Sequence, residues 1–175
     1  MSERLPGLGM GLDLTHSPGE ARPSSVALLY RRAGSGVEVF WVKRGKALRF
    51  AGGFYAFPGG KLDAADADVP VEGASGEEAA LRSAAARELF EETGVLVARG
   101  AQALSAAKVE SLRKALLAGT LGWGALLKAE GLSLDAEDFQ AAGRWVTPPS
   151  LPVRFDTRFY LVEMPAHARA EWWPG

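Results

Sequence analysis

The segment 76–92 constrains the fold of this chain more than any other, because it reads as one long helix that is apolar on most of its faces. Ser75 can cap its first turn, which is acidic, and Gly94 is suited to ending it. Alanine, leucine and phenylalanine recur all around the helix instead of along one stripe. Such a helix is buried between other elements, so the chain must fold around it.

The last two turns of this predicted helix carry a cluster of acids. In RELFEETG, residues 87–94, Glu88, Glu91 and Glu92 share one face, because spacings of three and four residues return to the same side. Carboxylates this close repel one another unless a cation shares them, and hard divalent cations prefer oxygen ligands. Arg87 stands one turn before Glu91 and can pair with it. A solvated acidic face is the alternative, but the apolar surroundings favour a metal site in a cleft.

Composition excludes several other kinds of site and protein. The 175 residues include no Cys and two His, so a bound metal must rely on oxygen ligands. The formal net charge of -1 supplies no field that would hold a nucleic acid. There is no run of about 18 apolar residues and no signal-peptide pattern. We expect one cytoplasmic domain that binds neither nucleic acid nor membrane.

The rest of the chain predicts strands and two further helices. Residues 1–24 contain many Pro and Gly and are expected to form an irregular arm. Stretches rich in apolar and β-branched residues indicate strands, whereas leucines at helical spacing indicate helices. The predicted strands are 25–32, 37–42, 95–98, 144–147 and 155–164, and the predicted helices are 105–118 and 123–129.

The acidic helix and the glycine before it resemble the signature of the Nudix hydrolases, GX5EX7REUXEEXGU. The matching positions are Gly73, Arg87, Glu88, Leu89, Glu91, Glu92, Gly94 and Val95. The resemblance implies an α/β fold of the α+β kind, in which a mixed β-sheet lies between α-helices. Residues 25–175 would form this domain, with a helical insert at about 99–143. The loop and helix of the signature would hold Mg²⁺ or Mn²⁺ against a diphosphate.

The resemblance also implies roles for individual residues. Arg87 would orient the carboxylates, and Glu91 or an acid elsewhere would help to activate water. The implied metal ligands are Glu88, Glu91, Glu92 and the backbone carbonyl near Gly60.

One position departs from the signature. Its first Glu falls on Ala79, with Glu77 and Glu78 displaced by one or two residues. Either an acid one turn away substitutes for this Glu, or the chain does without it.

Two flanking stretches are similar to the coenzyme A diphosphatases, and in particular to the peroxisomal type. They are the basic, Gly-rich segment 43–66, KRGKALRFAGGFYAFPGGKLDAAD, and RFDTRFYL at 154–161. The implied substrate is a small-molecule diphosphate, coenzyme A or acyl-CoA, cleaved to phosphopantetheine and adenosine 3',5'-bisphosphate fragments. Arg44, Arg49 and Lys61 could pair with its phosphates, although ordinary surface cations are the alternative.

Several alternatives stay open from the sequence. The substrate could be another nucleoside diphosphate derivative, such as ADP-ribose or a dinucleotide. The domain could also be a non-catalytic ligand-binding module, which Ala79 favours and the three carboxylates oppose. The chain ends soon after the strand at 155–164, so it could be a piece of a longer protein. Leu112, Leu116 and Leu117 share an apolar side that could form a lid or the surface of a homodimer.

Overall fold

The structure is a computed structural model and describes residues 19–43, 55–151 and 153–170. These residues form a central mixed sheet with α-helices, which confirms the expected fold class. The elements are β1 Arg22–Ala33, β2 Gly36–Val39, β3 Val42–Lys43, β4 Tyr55–Ala56, β5 Gly59–Lys61, β6 Val71–Glu72, α1 Gly76–Thr93, α2 Ala106–Leu117, α3 Trp123–Ala129, β7 Leu134–Asp135, β8 Gln140–Val146 and β9 Phe155–Glu163. Short 3₁₀ helices lie at Ala64–Asp68, Ala101–Ala103 and Ala136–Asp138. No helix in the described ranges is both long and apolar enough to cross a membrane.

The sheet is built around β1. This strand runs parallel to β9 and antiparallel to β2, and β8 lies beside β9 at the far edge. The short strand β5 pairs with the first part of β1, where Gly60 lies opposite Ser25. This pairing with β1 fixes the position of β5 at this end of the sheet.

β1 begins at Arg22, which corrects the predicted end of the irregular arm at residue 24. Arg22 and Pro23 pair with the start of β9, and the Pro23 carbonyl accepts a hydrogen bond from the Leu62 amide at 3.0 Å. β9 on one side and Leu62, directly after β5, on the other thus bind this stretch of backbone. Proline at the start of a strand is compatible with this pairing.

The predicted helix is α1, and it lies on the sheet as the central element of the core. The Ser25 hydroxyl donates to the Leu81 carbonyl at 2.6 Å and ties the helix to β1. Gly94 ends the helix with φ of 75°, a left-handed conformation that glycine adopts without strain. The buried residues face several directions, as predicted, and are Ala79, Ala80, Leu81, Ser83, Ala84, Ala85, Ala86, Leu89, Phe90 and Thr93.

α2 and α3 confirm the two helices predicted after the signature, and both pack against the core. Leu112 and Leu116 are buried, and the ring of Trp123 lies 6.2 Å from that of Phe90 in α1. The apolar side of α2 is thus largely used within the chain, although Leu117 is exposed. The expectation of an insert reaching residue 143 is corrected, because β8 begins at Gln140 and belongs to the central sheet.

Two predicted strands also differ from the structure. The stretch 37–42 is interrupted at Phe40 and Trp41, between β2 and β3. Residues 95–98 form no strand in the described structure. Val95, Leu96 and Val97 are buried in the core, and an isolated bridge joins Arg99 to Ser133. The apolar run reflects burial of side chains instead of sheet pairing.

Candidate active site

The last two turns of α1 lie against β5, and this contact brings two of the predicted acids to a Gly-Gly pair. Glu92 Oε2 accepts a hydrogen bond from the Gly59 amide at 3.1 Å. The Glu88 carboxylate lies directly against Gly60, at the place where a Cβ atom would be. Two segments that are distant in sequence therefore form one surface of carboxylates and backbone.

Arg87 connects the acidic cluster to the rest of the fold. Its Nη1 atom lies 2.9 Å from Glu88 Oε1 and 3.5 Å from Glu91 Oε2. On its other side, Nε and Nη2 donate to the Asp66 carboxylate at 3.1 and 2.9 Å. Nη2 also donates to the Lys61 carbonyl in β5 at 3.1 Å. The guanidinium thus lies between Asp66 and two of the three glutamates.

Asp66 is the site residue that sequence reasoning missed. It is 1% exposed, and its carboxylate also accepts a hydrogen bond from the Asp63 amide at 2.9 Å. The two aspartates form a capping box at the start of the 3₁₀ helix. Their spacing was visible in the sequence, but a capping box predicts only a local helix start. The contact with Arg87 joins residues 21 positions apart and depends on the tertiary fold.

The structure also corrects the expectations about the signature's first Glu. Ala79 is buried in the core, where a carboxylate would lose its hydration. Glu78 pairs with Arg82, one turn further along α1, at 2.6 Å. An acid is nevertheless present beside Arg87, and Asp66 supplies it from the 3₁₀ helix before α1.

Burial changes the electrostatics of the glutamates. It raises the pKa of Glu88 and of Glu91 above the ordinary 4.5, although the charge of Arg87 opposes the shift in both. The negative charge of Glu88 contributes to the raised pKa of Glu91. Burial lowers the pKa of Arg87, but the hydrogen bonds and charges of Asp66 and Glu88 together outweigh this and leave the pKa above its usual range. Arg87 therefore stays a cation, whereas the two glutamates carry their charges at a cost.

We expect Glu91→Gln to raise the thermal stability of the protein at about pH 8 in the absence of divalent metal. A carboxyl whose pKa is raised on folding favours the folded state below its ordinary pKa of 4.5, and this contribution is lost as the pH rises through the raised value. The side chain of glutamine is neutral at every pH, so the variant does not lose stability in this way. Thermal melts over a pH series should show a gain at about pH 8 that shrinks towards about pH 4.

The control for this pH series is Glu110→Gln, which removes a carboxylate from α2 whose side chain is 45% exposed and pairs with Lys114 at 3.4 Å. A gain in melting temperature for Glu91→Gln that is the same at every pH would contradict the electrostatic explanation. So would an equal gain in the Glu110 variant.

We also expect Gly60→Ala to disrupt the site with little loss of stability. The new Cβ atom would overlap the Glu88 carboxylate, which is the end of a flexible side chain and can move away. By contrast, a Cβ atom at Gly59 would meet the backbone of Ser25 and Val26, which cannot move without breaking the β1–β5 pairing. Melting temperature and divalent-metal affinity should therefore separate the two variants. Gly60→Ala should weaken metal binding, whereas Gly59→Ala should mainly lower the melting temperature.

The residues fit a hard divalent cation by their chemistry. Three carboxylates lie at one end of α1, and two of them have a pKa raised by burial. Within the described ranges, no three acidic or histidine side chains already converge as a coordination group. Glu88 and Glu91 face Arg87 in this arrangement, whereas Glu92 reaches the Gly59 amide. The residues that could hold an ion are the three glutamates, with backbone oxygen near Gly60.

A cleft of about 590 Å³ opens beside Glu88, between β5 and the start of β1 and β9. Its size is that of ordinary small-molecule sites. Lys61 lines this cleft and is exposed, so it lies near the carboxylates as a candidate for phosphate binding. The other two predicted phosphate-binding residues, Arg44 and Arg49, lie outside the described residues. The remaining lining residues are Ser24, Ser25, Val26, Gly59, Gly60, Val153, Phe155 and Thr157.

Comparison with known proteins identifies the family of this fold. A crystal structure of a NUDIX hydrolase from Alicyclobacillus acidocaldarius superposes with a TM-score of 0.74 at 32% sequence identity, covering 88% of this chain and 74% of that one. The Caenorhabditis elegans protein named "Putative nudix hydrolase 7" is 35% identical over an alignment of 128 residues, and the match covers 71% of this chain. The chain spans 39% of the length of that relative. Residues 21–161 match the family model of the NUDIX domain, and the chain therefore belongs to the Nudix family.

Proposed function

We propose that this protein is a Nudix hydrolase that cleaves a diphosphate linkage with Mg²⁺ or Mn²⁺. The observation that carries the proposal is the surface where Glu88, Glu91 and Glu92 lie at the end of α1, beside β5. Nudix hydrolases generally act on nucleoside diphosphate derivatives and use divalent metal ions. The carboxylates suit a divalent metal ion, and the adjoining cleft suits a small diphosphate substrate.

In the proposed reaction, water attacks one phosphorus atom and the bond from that atom to the bridging oxygen breaks. The three glutamates would hold the ion, which would neutralise charge on the phosphate oxygens and make the attacking water more acidic. Arg87, held by Asp66, keeps Glu88 and Glu91 in place. Lys61 can pair with a phosphate oxygen at the mouth of the cleft.

Glu91 is the carboxylate that we propose as the acceptor of the proton from water. Its pKa is raised by burial, so its anion is a stronger base than an ordinary carboxylate. Its distance of 3.5 Å from Arg87 is longer than that of Glu88, which leaves its carboxylate less tightly paired. After the bond breaks, each fragment carries one of the two phosphate groups.

For the substrate, we propose coenzyme A or an acyl derivative. The similarity of segments 43–66 and 154–161 to coenzyme A diphosphatases supports this choice. The cleft beyond Glu88 adds Val26, Val153 and Phe155, apolar side chains that can receive the organic part of a diphosphate diester. The diphosphate would then lie between Lys61 and the glutamates.

The test is to incubate the purified protein with coenzyme A, ADP-ribose and dinucleotides, with Mg²⁺, with Mn²⁺ and with a chelator. Products are identified by mass, and water labelled with ¹⁸O reports which phosphorus is attacked. We expect metal-dependent release of phosphopantetheine from coenzyme A. If another diphosphate is cleaved faster than coenzyme A, the proposed substrate is wrong and the proposed reaction stands. Binding of these compounds without turnover would instead support a non-catalytic module.

A further inference from the structure

The end of α1 is held by a buried arginine from outside the signature. Arg113 lies in α2 and is 4% exposed. Its Nε and Nη2 atoms both donate to the main-chain carbonyl of Glu91, at 3.0 and 2.8 Å. The acceptor is therefore the backbone of one of the proposed metal ligands, 22 residues earlier in the chain.

The carbonyl that Arg113 binds has a particular need for a donor. The last four carbonyl groups of a helix have no partner within it, and they form the negative end of the helix dipole. Glu91 and Glu92 add their charges to this end, and the last turn of α1 contains no basic residue of its own. Arg113 supplies the missing cation from α2.

The neighbouring glycine leaves room for this side chain. A Cβ atom at Gly94 would lie 3.1 Å from Arg113 Nη1, closer than side chains normally pack. Gly94 thus serves both the left-handed turn that ends α1 and the approach of the guanidinium. The contact belongs to the same turn that carries Glu91 and Glu92.

We propose that Arg113 is a positioning residue for the active site, and this inference rests on the proposed function. It holds the last turn of α1 so that Glu91 and Glu92 stay aligned with Glu88 and β5. Without it, the last turn would fray and the site would lose two of its three ion-binding carboxylates. The helical segment after the signature therefore contributes to the site through the backbone of α1.

The test compares Arg113→Met, Arg113→Lys and the matched control Arg82→Met. Arg82 is a half-buried arginine of α1, and it contacts Glu78 near the start of the helix and the Phe139 carbonyl. Three experiments are made on each folded variant. Electron paramagnetic resonance gives the Mn²⁺ affinity without substrate, steady-state kinetics give kcat and KM for the cleaved diphosphate, and hydrogen exchange reports on the amides at the end of α1.

For Arg113→Met we expect about a tenfold weaker Mn²⁺ affinity and about a tenfold lower kcat at saturating metal, with KM nearly unchanged. Faster hydrogen exchange should be confined to the last turn of α1. Arg113→Lys should recover part of each loss, because it keeps the charge but cannot donate from two nitrogens. Arg82→Met should lower stability and leave Mn²⁺ affinity and kcat unchanged.

Wild-type Mn²⁺ affinity and kcat in folded Arg113→Met would overturn the proposal. If Arg113→Met does not fold, Arg113→Lys decides, and wild-type values in that variant overturn the proposal in the same way. If the wild-type protein itself neither binds Mn²⁺ nor hydrolyses any diphosphate, the proposed function fails instead. The exchange measurement then still shows whether Arg113 holds the last turn.

Discussion

Glu92→Gln is expected to lower metal-dependent diphosphate hydrolysis by about 10³-fold while leaving the fold intact. The amide oxygen of glutamine can still accept the hydrogen bond that the Gly59 amide donates to Glu92 at 3.1 Å. The contact between α1 and β5 is therefore retained. The variant removes the negative charge, which is the property that a divalent ion requires.

The measurement for Glu92→Gln combines initial rates over a range of Mn²⁺ concentrations with a thermal melt. Glu77→Gln is the matched control, because it makes the same substitution at an exposed position in the first turn of α1. We expect the control to keep the wild-type rate. A wild-type rate in Glu92→Gln would remove Glu92 from the proposed site, and a large fall in melting temperature would show that its role is structural.

Asp66→Ala is expected to lower the free energy of unfolding by about 3–5 kcal/mol, because it leaves the half-buried cation of Arg87 without its main partner. The substitution also removes the hydrogen bond to the Asp63 amide. For a domain of this size, the loss corresponds to a fall in melting temperature of roughly 10 °C. Turnover should fall as well, since Arg87 would no longer be held beside Glu88 and Glu91.

Denaturant unfolding of four proteins tests this expectation: wild type, Asp66→Ala, Arg87→Met and the double variant. Because the two residues are in direct contact, the double variant should lose clearly less stability than the sum of the single losses. Asp68→Ala is the control, an exposed aspartate in the same 3₁₀ helix, and should change stability by at most about 0.5 kcal/mol. Additive losses in the double variant would show that Asp66 acts independently of Arg87.

Local patterns in the sequence were sufficient to predict α1, the helix that carries the three glutamates. Helix α1 was predictable because its end at Gly94 and its apolar residues are encoded within one segment. Ser75 stands at the N-cap, as expected, but its side chain makes no capping hydrogen bond. The shared face of Glu88, Glu91 and Glu92 follows from helical periodicity alone. The two helices after the signature and the strand β9 were also predictable, because each has a regular apolar pattern.

The sequence predictions were wrong for segments whose structure depends on neighbouring elements that are distant in the sequence. The apolar stretch 95–98 has the composition of a strand, but its side chains fill the core beside α1 without a pairing partner in the described structure. β1 extends to Arg22 and Pro23 because β9 pairs with both residues on one side and the Leu62 amide donates to the Pro23 carbonyl on the other. In both cases the neighbouring elements, which no local window contains, decided the outcome.

The sequence by itself determined the helix, its row of carboxylates and the family to which the chain belongs, because these depend on spacing within a short segment. Only the tertiary structure decided which groups surround those carboxylates. Asp66 reaches Arg87 from the 3₁₀ helix before α1, and Arg113 reaches the Glu91 carbonyl from α2 after it. Both contacts cross more than 20 residues of chain and satisfy charges or carbonyls that are costly to bury alone. Such partners are selected by the packing of the whole domain, so no spacing rule in the sequence could have named them.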